Sequence, residues 1–107
     1  MALLPWREHP EAREEYLGAL DWYDDRERGL GSRLGDELDA TVDFVREWPE
    51  AAPPYRGRKV NPMVRRKATD VFPYGVIYFV RDGELVVVAY AHQKRRPGYW
   101  RERLKER

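Results

Sequence analysis

Cysteine is absent from this 107-residue chain, and histidine occurs only twice, as His9 and His92. The first absence excludes disulfides, thiol catalysis and thiolate metal sites, and fits a reducing cytoplasm. The second leaves no recognised ligand spacing, so neither a metal nor a cofactor is expected. Long hydrophobic runs are also missing. The longest, Tyr74 to Val80 and Leu85 to Ala91, are seven residues, against roughly 20 needed to span a bilayer. Met1-Ala2-Leu3-Leu4-Pro5-Trp6 is too short and wrongly flanked for a secretory signal. Gly29-Leu30-Gly31 follows a helical pattern instead of a strand, which excludes a phosphate loop there. No repeat or low-complexity linker interrupts the chain, and its length allows one domain over residues 1–107.

What is present is enough to fold. Hydrophobic residues make up 42% and aromatics 13% of the chain, which argues against disorder. The 20 Lys/Arg and 19 Asp/Glu nearly cancel, but they are laid out unevenly. Met1 to Ala52 holds 14 acids and 6 bases, whereas Pro53 to Arg107 holds 5 acids and 14 bases. Glu50-Ala51-Ala52-Pro53-Pro54, where the sign changes, reads as a crossover within one domain.

The acidic half carries helical periodicity. His9-Pro10 opens a first helix, with Pro10 at the position where its missing N–H costs nothing. Ala12, Tyr16, Ala19/Leu20 and Tyr23 form its apolar stripe. Glu11, Glu14 and Glu15 sit where the helix dipole favours acids. Gly29-Leu30-Gly31 ends it, and Ser32 is the expected N-cap of a second helix. Leu34, Leu38, Thr41/Val42, Val45 and Trp48 repeat the spacing until Pro49. So short a connection predicts an antiparallel helix hairpin.

The basic half alternates in the manner of strands. Tyr74 to Arg81 and Glu84 to His92 flank Asp82-Gly83, a type I′ turn signal. Counting outward from that turn sets Arg81 opposite Glu84, Ile77 opposite Val88 and Gly75 opposite Tyr90. Both faces of this hairpin are apolar, so it belongs centrally in a sheet covered on both sides. Val64 to Ala68 is expected as an edge strand. Lys59-Val60 and Ala2 to Arg7 are weaker strand signals, and Pro97 to Arg107 reads as a short helix or tail.

The adjacent acids Glu14/Glu15 and Asp24/Asp25 diverge by roughly 100° on a helix of 3.6 residues per turn. Neither pair converges as a carboxylate site requires, so both read as solvated helix surface. The bases come in three clusters, Arg56/Arg58/Lys59, Arg65/Arg66/Lys67 and Lys94/Arg95/Arg96. Tyr55, Tyr74, Tyr78, Tyr90, Tyr99 and Trp100 lie among or after them. Cations in series neutralise phosphates and aromatic rings stack on bases. Two other readings stay open, a sheet edge pairing with the protein's own acids and a docking surface for an acidic protein. His92 through Trp100 combines an imidazole, arginines and a tyrosine, the groups that metal-free RNA cleavage uses. A lone histidine at a strand end is more often a hydrogen-bonded structural residue.

From His9-Pro10-Glu11-Ala12 to Ala91-His92-Gln93-Lys94-Arg95, the chain resembles the RelE/ParE superfamily of toxins from bacterial type II toxin–antitoxin systems. Its most specific pieces are Phe72-Pro73-Tyr74-Gly75-Val76-Ile77-Tyr78 and His92-Gln93-Lys94-Arg95-Arg96-Pro97-Gly98-Tyr99-Trp100. The resemblance implies an α+β fold, with an N-terminal antiparallel helix hairpin packed on a small, mostly antiparallel sheet. It also implies growth arrest and a cognate antitoxin that neutralises the toxin. RelE-like members cleave mRNA on the ribosome, using basic side chains on the sheet and a C-terminal tyrosine. ParE-like members inhibit DNA gyrase and lack most of that set. Arg66 and Arg96 match RelE basic positions, but two further cation positions fall on Ala68 and Gly75. The C-terminal tyrosine falls on Trp100, beside Tyr99. The long helix hairpin with Trp22-Tyr23, and Ala91-His92-Gln93, are similar to ParE-like members. The resemblance therefore leans towards a gyrase inhibitor. The alternative is an endoribonuclease in which His92, Arg96 and Tyr99 act chemically. The expected contacts to nucleic acid or a partner are Arg58, Lys59, Arg65, Arg66, Lys67, Lys94, Arg95 and Trp100.

Overall fold

The computed structural model describes residues 3–57 and 62–105. In chain order it runs β1 (Trp6–Glu8), α1 (Pro10–Arg26), α2 (Leu30–Glu47), β2 (Arg65–Ala68), β3 (Tyr74–Arg81) and β4 (Glu84–His92). Short 3-10 turns lie at Tyr55–Gly57 and Arg101–Lys105. The sheet order is β1-β4-β3-β2, with β1 parallel to β4 and the other pairs antiparallel. This is the expected α+β architecture, a helix hairpin on a mostly antiparallel sheet. The expected Lys59-Val60 strand lies outside the described residues.

Helix α1 starts where the sequence places it, and His9 is the reason. The His9 Nδ1 accepts the Glu11 N–H at 3.1 Å, and Pro10 follows as the first helical residue. Ala12, Tyr16 and Ala19 are buried along the expected stripe. Helix α2 starts earlier than expected. Ser32 lies inside the helix, and the N-cap is Gly29, in the left-handed region at φ 88°. The capping acceptor comes from the neighbouring helix instead: Asp24 Oδ1 takes the Gly31 N–H at 2.7 Å. At Gly31 a side chain would collide with the Leu20 carbonyl oxygen and with Asp24, so the helices cross at backbone distance. That proximity lets α1 do the work that Ser32 was expected to do.

The β3–β4 hairpin turns through Asp82 (φ 54°) and Gly83 (φ 75°), with Arg81 opposite Glu84 as counted. The rest of the count is corrected by a β-bulge. Tyr78 pairs with Val87 but Ile77 pairs with Ala89, so Ile77·Val88 and Gly75·Tyr90 become Ile77·Ala89 and Gly75·Ala91. The extra residue breaks the alternation of β4. Leu85, Val87 and Tyr90 join the helix-side core, while Val86, Val88, Ala89 and Ala91 join the core of the opposite face. Strict alternation would have turned Tyr90 away from the helices. With the bulge, its ring packs edge-on against Tyr16 at 5.3 Å, and its hydroxyl donates to Glu8 Oε2 at 2.6 Å.

Two cores result. Leu34, Leu38, Val42 and Val45 of α2 pack on Val76, Tyr78 and Val87. Ile77, Phe79, Val86 and Val88 on the far face are covered by Val64 and Trp100, with Tyr55, Tyr99 and Leu104 around them. The C-terminal tail is therefore the lid of the second core, and its 3-10 turn is the short helix expected there.

Candidate functional site

A cleft of about 450 Å³ opens beside that lid, at the end of the sheet where β4 runs into the tail. Arg56, Arg66, Arg95 and Arg96 line it together with His92 and Tyr99, and among the described residues no Asp or Glu does. Among the described residues, the guanidiniums of Arg56, Arg66 and Arg96 have no hydrogen-bond or carboxylate partner. Arg95 lies over the Tyr99 ring, its Cζ 3.8 Å from the centroid. Four arginines with no acid among the described residues lining the cleft make an electropositive recess suited to anions. His92 ends β4 half-buried, its ring edge-on to Tyr74 at 5.2 Å. Its Nδ1 accepts the Lys94 N–H at 3.0 Å, which leaves Nε2 to carry the proton of the neutral ring. His92 also borders a second recess, of about 360 Å³, between α1 and the sheet.

The fold divides the expected site residues. Arg66, Arg95, Arg96, His92 and Tyr99 meet at the cleft. Arg65, Arg66 and Lys67 separate, because successive strand residues face opposite ways. Arg65 pairs with Tyr78 and Lys67 with Val76, both on the helix side, while Arg66 pairs with Ile77 on the far side. Arg65 Nη1 donates to the Ala52 carbonyl at 2.6 Å, and Lys67 Nζ stands 5.3 Å from the Phe44 ring centroid. Lys94 is exposed beside the cleft. Trp100 borders the cleft but is only 3% exposed, packed edge-on against Tyr55 at 4.9 Å. Its ring is spent on the far-face core. Gly75 has its open side on the far face with Ala91, not with Tyr90 and His92 as the unbulged count implies. Arg58 and Lys59 lie outside the described residues.

One residue read as helix surface proves central. Glu15 accepts the Tyr90 N–H at 3.0 Å, the Tyr99 hydroxyl at 2.8 Å and Arg103 Nη2 at 2.9 Å. Arg103 Nη1 also donates to the Val88 carbonyl at 3.0 Å. Strand β1 pairs with β4 only as far as Val87. Beyond it, Glu15 and Arg103 satisfy the backbone groups that a longer β1 would have paired. The same carboxylate holds the tail and thereby one wall of the cleft. Burial pushes the Tyr99 hydroxyl above its usual pKa, and the Glu15 charge and hydrogen bond push it further. Tyr99 is thus a neutral donor tied to Glu15. The sequence signal for Glu15 was its place in the apolar stripe's flank, one residue before Tyr16, whereas its neighbour Glu14 is exposed as expected.

The fold is shared with a solved toxin–antitoxin structure. A chain of the structure described as "Chromosomal ParDE TA system from P. aeruginosa" matches at a TM-score of 0.70 and 12% identity. The match covers 84% of this chain and 96% of that one. No protein-family model and no curated protein matches the sequence. At 12% identity the likeness is one of fold. In that respect the chain is built as a component of a ParDE system is built.

Proposed function

We propose that this chain is the toxin of a type II toxin–antitoxin system, that it arrests growth by inhibiting DNA gyrase, and that a cognate antitoxin neutralises it. The ParDE-like fold supports the first part. One observation carries the choice of mechanism: both candidates for the family's C-terminal nuclease tyrosine are committed to the fold. Trp100 is buried under the sheet, and the Tyr99 hydroxyl is held by Glu15. Ala68 and Gly75, where RelE-like toxins carry cations, supply none. In this reading the cleft arginines meet the gyrase–DNA target, in the cytoplasm where gyrase works. The exposed cations Lys94, Arg95 and Arg96 steer an acidic antitoxin segment to the same face.

A second reading has its own support. Arg66, His92 and Arg96 border one cleft, the arrangement that a ribosome-dependent mRNA endoribonuclease would use. Arg66 and Arg96 would stabilise charge on phosphate, with His92 moving the proton. Induced expression in bacteria separates the two, with transcript cleavage and gyrase-linked DNA breaks read from one culture. Breaks without cleavage are expected, and His92→Ala should still kill. Cleavage without breaks, abolished by His92→Ala and Arg96→Ala, would transfer the assignment to the nuclease. Arrested cells with neither product would sink both.

A further inference from the structure

We propose that Gly75 is a positioning residue: by lacking a side chain it seats the Arg66 guanidinium in the basic cleft, and so fixes where a phosphodiester group is held. The inference rests on the reading of that cleft as the face that meets nucleic acid. Gly75 pairs with Ala68 on β2 and with Ala91 on β4, so three small residues lie side by side across the sheet. Arg66 starts in the next row, opposite Ile77, and leans diagonally into the row of small residues. A methyl group at position 75 would stand 2.5 Å from both Cζ and Nε of Arg66, and 2.7 Å from Nη2. The guanidinium therefore occupies the volume that any other residue's Cβ would fill. Glycine inside a strand weakens it and marks a close approach. Here the approaching group is a planar cation with no carboxylate partner among the described residues. Held against the backbone, its fork of donors is preorganised for a phosphate and loses less freedom on binding one. The cation that Gly75 itself does not carry is thus supplied from β2.

The atoms that would collide belong to the end of a flexible side chain, so β3 accepts a methyl and Arg66 swings away. Gly75→Ala should therefore fold with wild-type thermal stability yet lose anion affinity, a split that a merely structural glycine would not give. The probes are a short fluorescent oligouridylate and its oligodeoxythymidylate counterpart, titrated into the full chain at several salt concentrations. Gly75→Ala and Arg66→Ala should each weaken binding about tenfold and reduce the log–log salt slope by about 0.7. The double variant should match Arg66→Ala alone. Wild-type affinity in Gly75→Ala, or losses that multiply in the double variant, would overturn the seat while leaving the cleft reading intact. If the wild-type chain binds neither oligonucleotide, the cleft reading fails and the seat falls with it. Should Gly75→Ala not fold, the double variant decides. Its folding supports the proposal, because the colliding guanidinium is gone; its failure to fold overturns it.

Discussion

Removing the Glu15 carboxylate tests whether the open edge of β4 is held by side chains. In Glu15→Ala the Tyr90 N–H loses its acceptor, and a buried backbone donor left unpaired costs about 1–3 kcal/mol. Arg103 loses a partner at 2.9 Å in a pair whose side chains are only 10% and 15% exposed. Breaking a buried ion pair on one side costs about 3–5 kcal/mol. Two contacts reduce that figure here. Arg103 keeps the Val88 carbonyl, and Glu11, 57% exposed, stands 3.7 Å away. Taken with the lost Tyr99 bond, the whole perturbation comes to roughly 4 kcal/mol. Against a total of about 5–15 kcal/mol, that is a large fraction. Tm should fall by roughly 20 °C, at roughly 5 °C per kcal/mol for a domain of this size. Glu15→Gln keeps an acceptor but not the charge, and should cost about half as much. Urea unfolding at constant pH and ionic strength, followed by circular dichroism, gives the number. Glu14→Ala, one residue away and exposed, should stay within about 0.5 kcal/mol. A Glu15→Ala loss below about 1 kcal/mol, or one no larger than Glu14→Ala gives, would refute the role assigned to Glu15.

Two of the three helix glycines should respond in opposite directions. Gly18 has open space at its Cβ, so Gly18→Ala should stabilise by about 0.5–1 kcal/mol. Gly31→Ala drives a methyl into the Leu20 carbonyl and should destabilise by about 1–2 kcal/mol in the same thermal melt, despite alanine's better helix propensity. Glu37 carries an acid-limb prediction. Burial raises its pKa, but the N–H groups of Val71 and Phe72, at 2.7 and 3.1 Å, outweigh that and leave it below the ordinary glutamate value. Because the folded value is depressed, its stabilisation is complete above the unfolded pKa and fades as pH falls through the folded one. Glu37→Gln should therefore flatten the loss of stability below about pH 4.5, and an unchanged acid limb would contradict this. Tyr78 works at the other end. Burial pushes its hydroxyl up to about 12 against a weaker opposing pull from Arg65, and that hydroxyl donates to the Pro49 carbonyl at 2.7 Å. Its contribution is intact below about pH 10 and is lost as pH rises towards the folded value. Tyrosinate absorbance should then rise together with loss of circular dichroism, and Tyr78→Phe should retain more of its stability at high pH than the wild type.

How far the sequence could be read depended on the range of each interaction. The limits of α1, the end of α2 and the Asp82-Gly83 turn are set by neighbours a few residues away, and the charged side chains of β2 mark it as an edge strand; those were legible. The bulge was not, because it depends on Tyr90 meeting Tyr16 and Glu8, partners more than 70 residues distant along the chain. Ser32 failed as a cap for the same reason, since its competitor Asp24 arrives only once the hairpin has closed. At the cleft, the clusters at Arg65–Lys67 and Lys94–Arg96 were visible as charge. Only the pleat of β2 shows that a run of three cations sends one side chain to the cleft and two to the helix side.

The bulge and Glu15 are two ends of one arrangement, and together they explain why the cleft is where it is. Val88 and Ala89 both face away from the helices, which returns Tyr90 to the helix side just past the last β1 pair. There the Tyr90 N–H meets a carboxylate from α1 where a strand would otherwise stand. That carboxylate also takes the Tyr99 hydroxyl and Arg103, which ties the tail to α1 as it crosses the far face. There Trp100 joins the far-face core with Ile77 and Phe79, and Arg95 and Arg96 line the cleft that Arg66 also lines. An acid of the negative half thus decides how the cations of the positive half are gathered. The charge asymmetry of the sequence is for that reason not simply scaffold against binding face, because the scaffold's own carboxylate shapes the site.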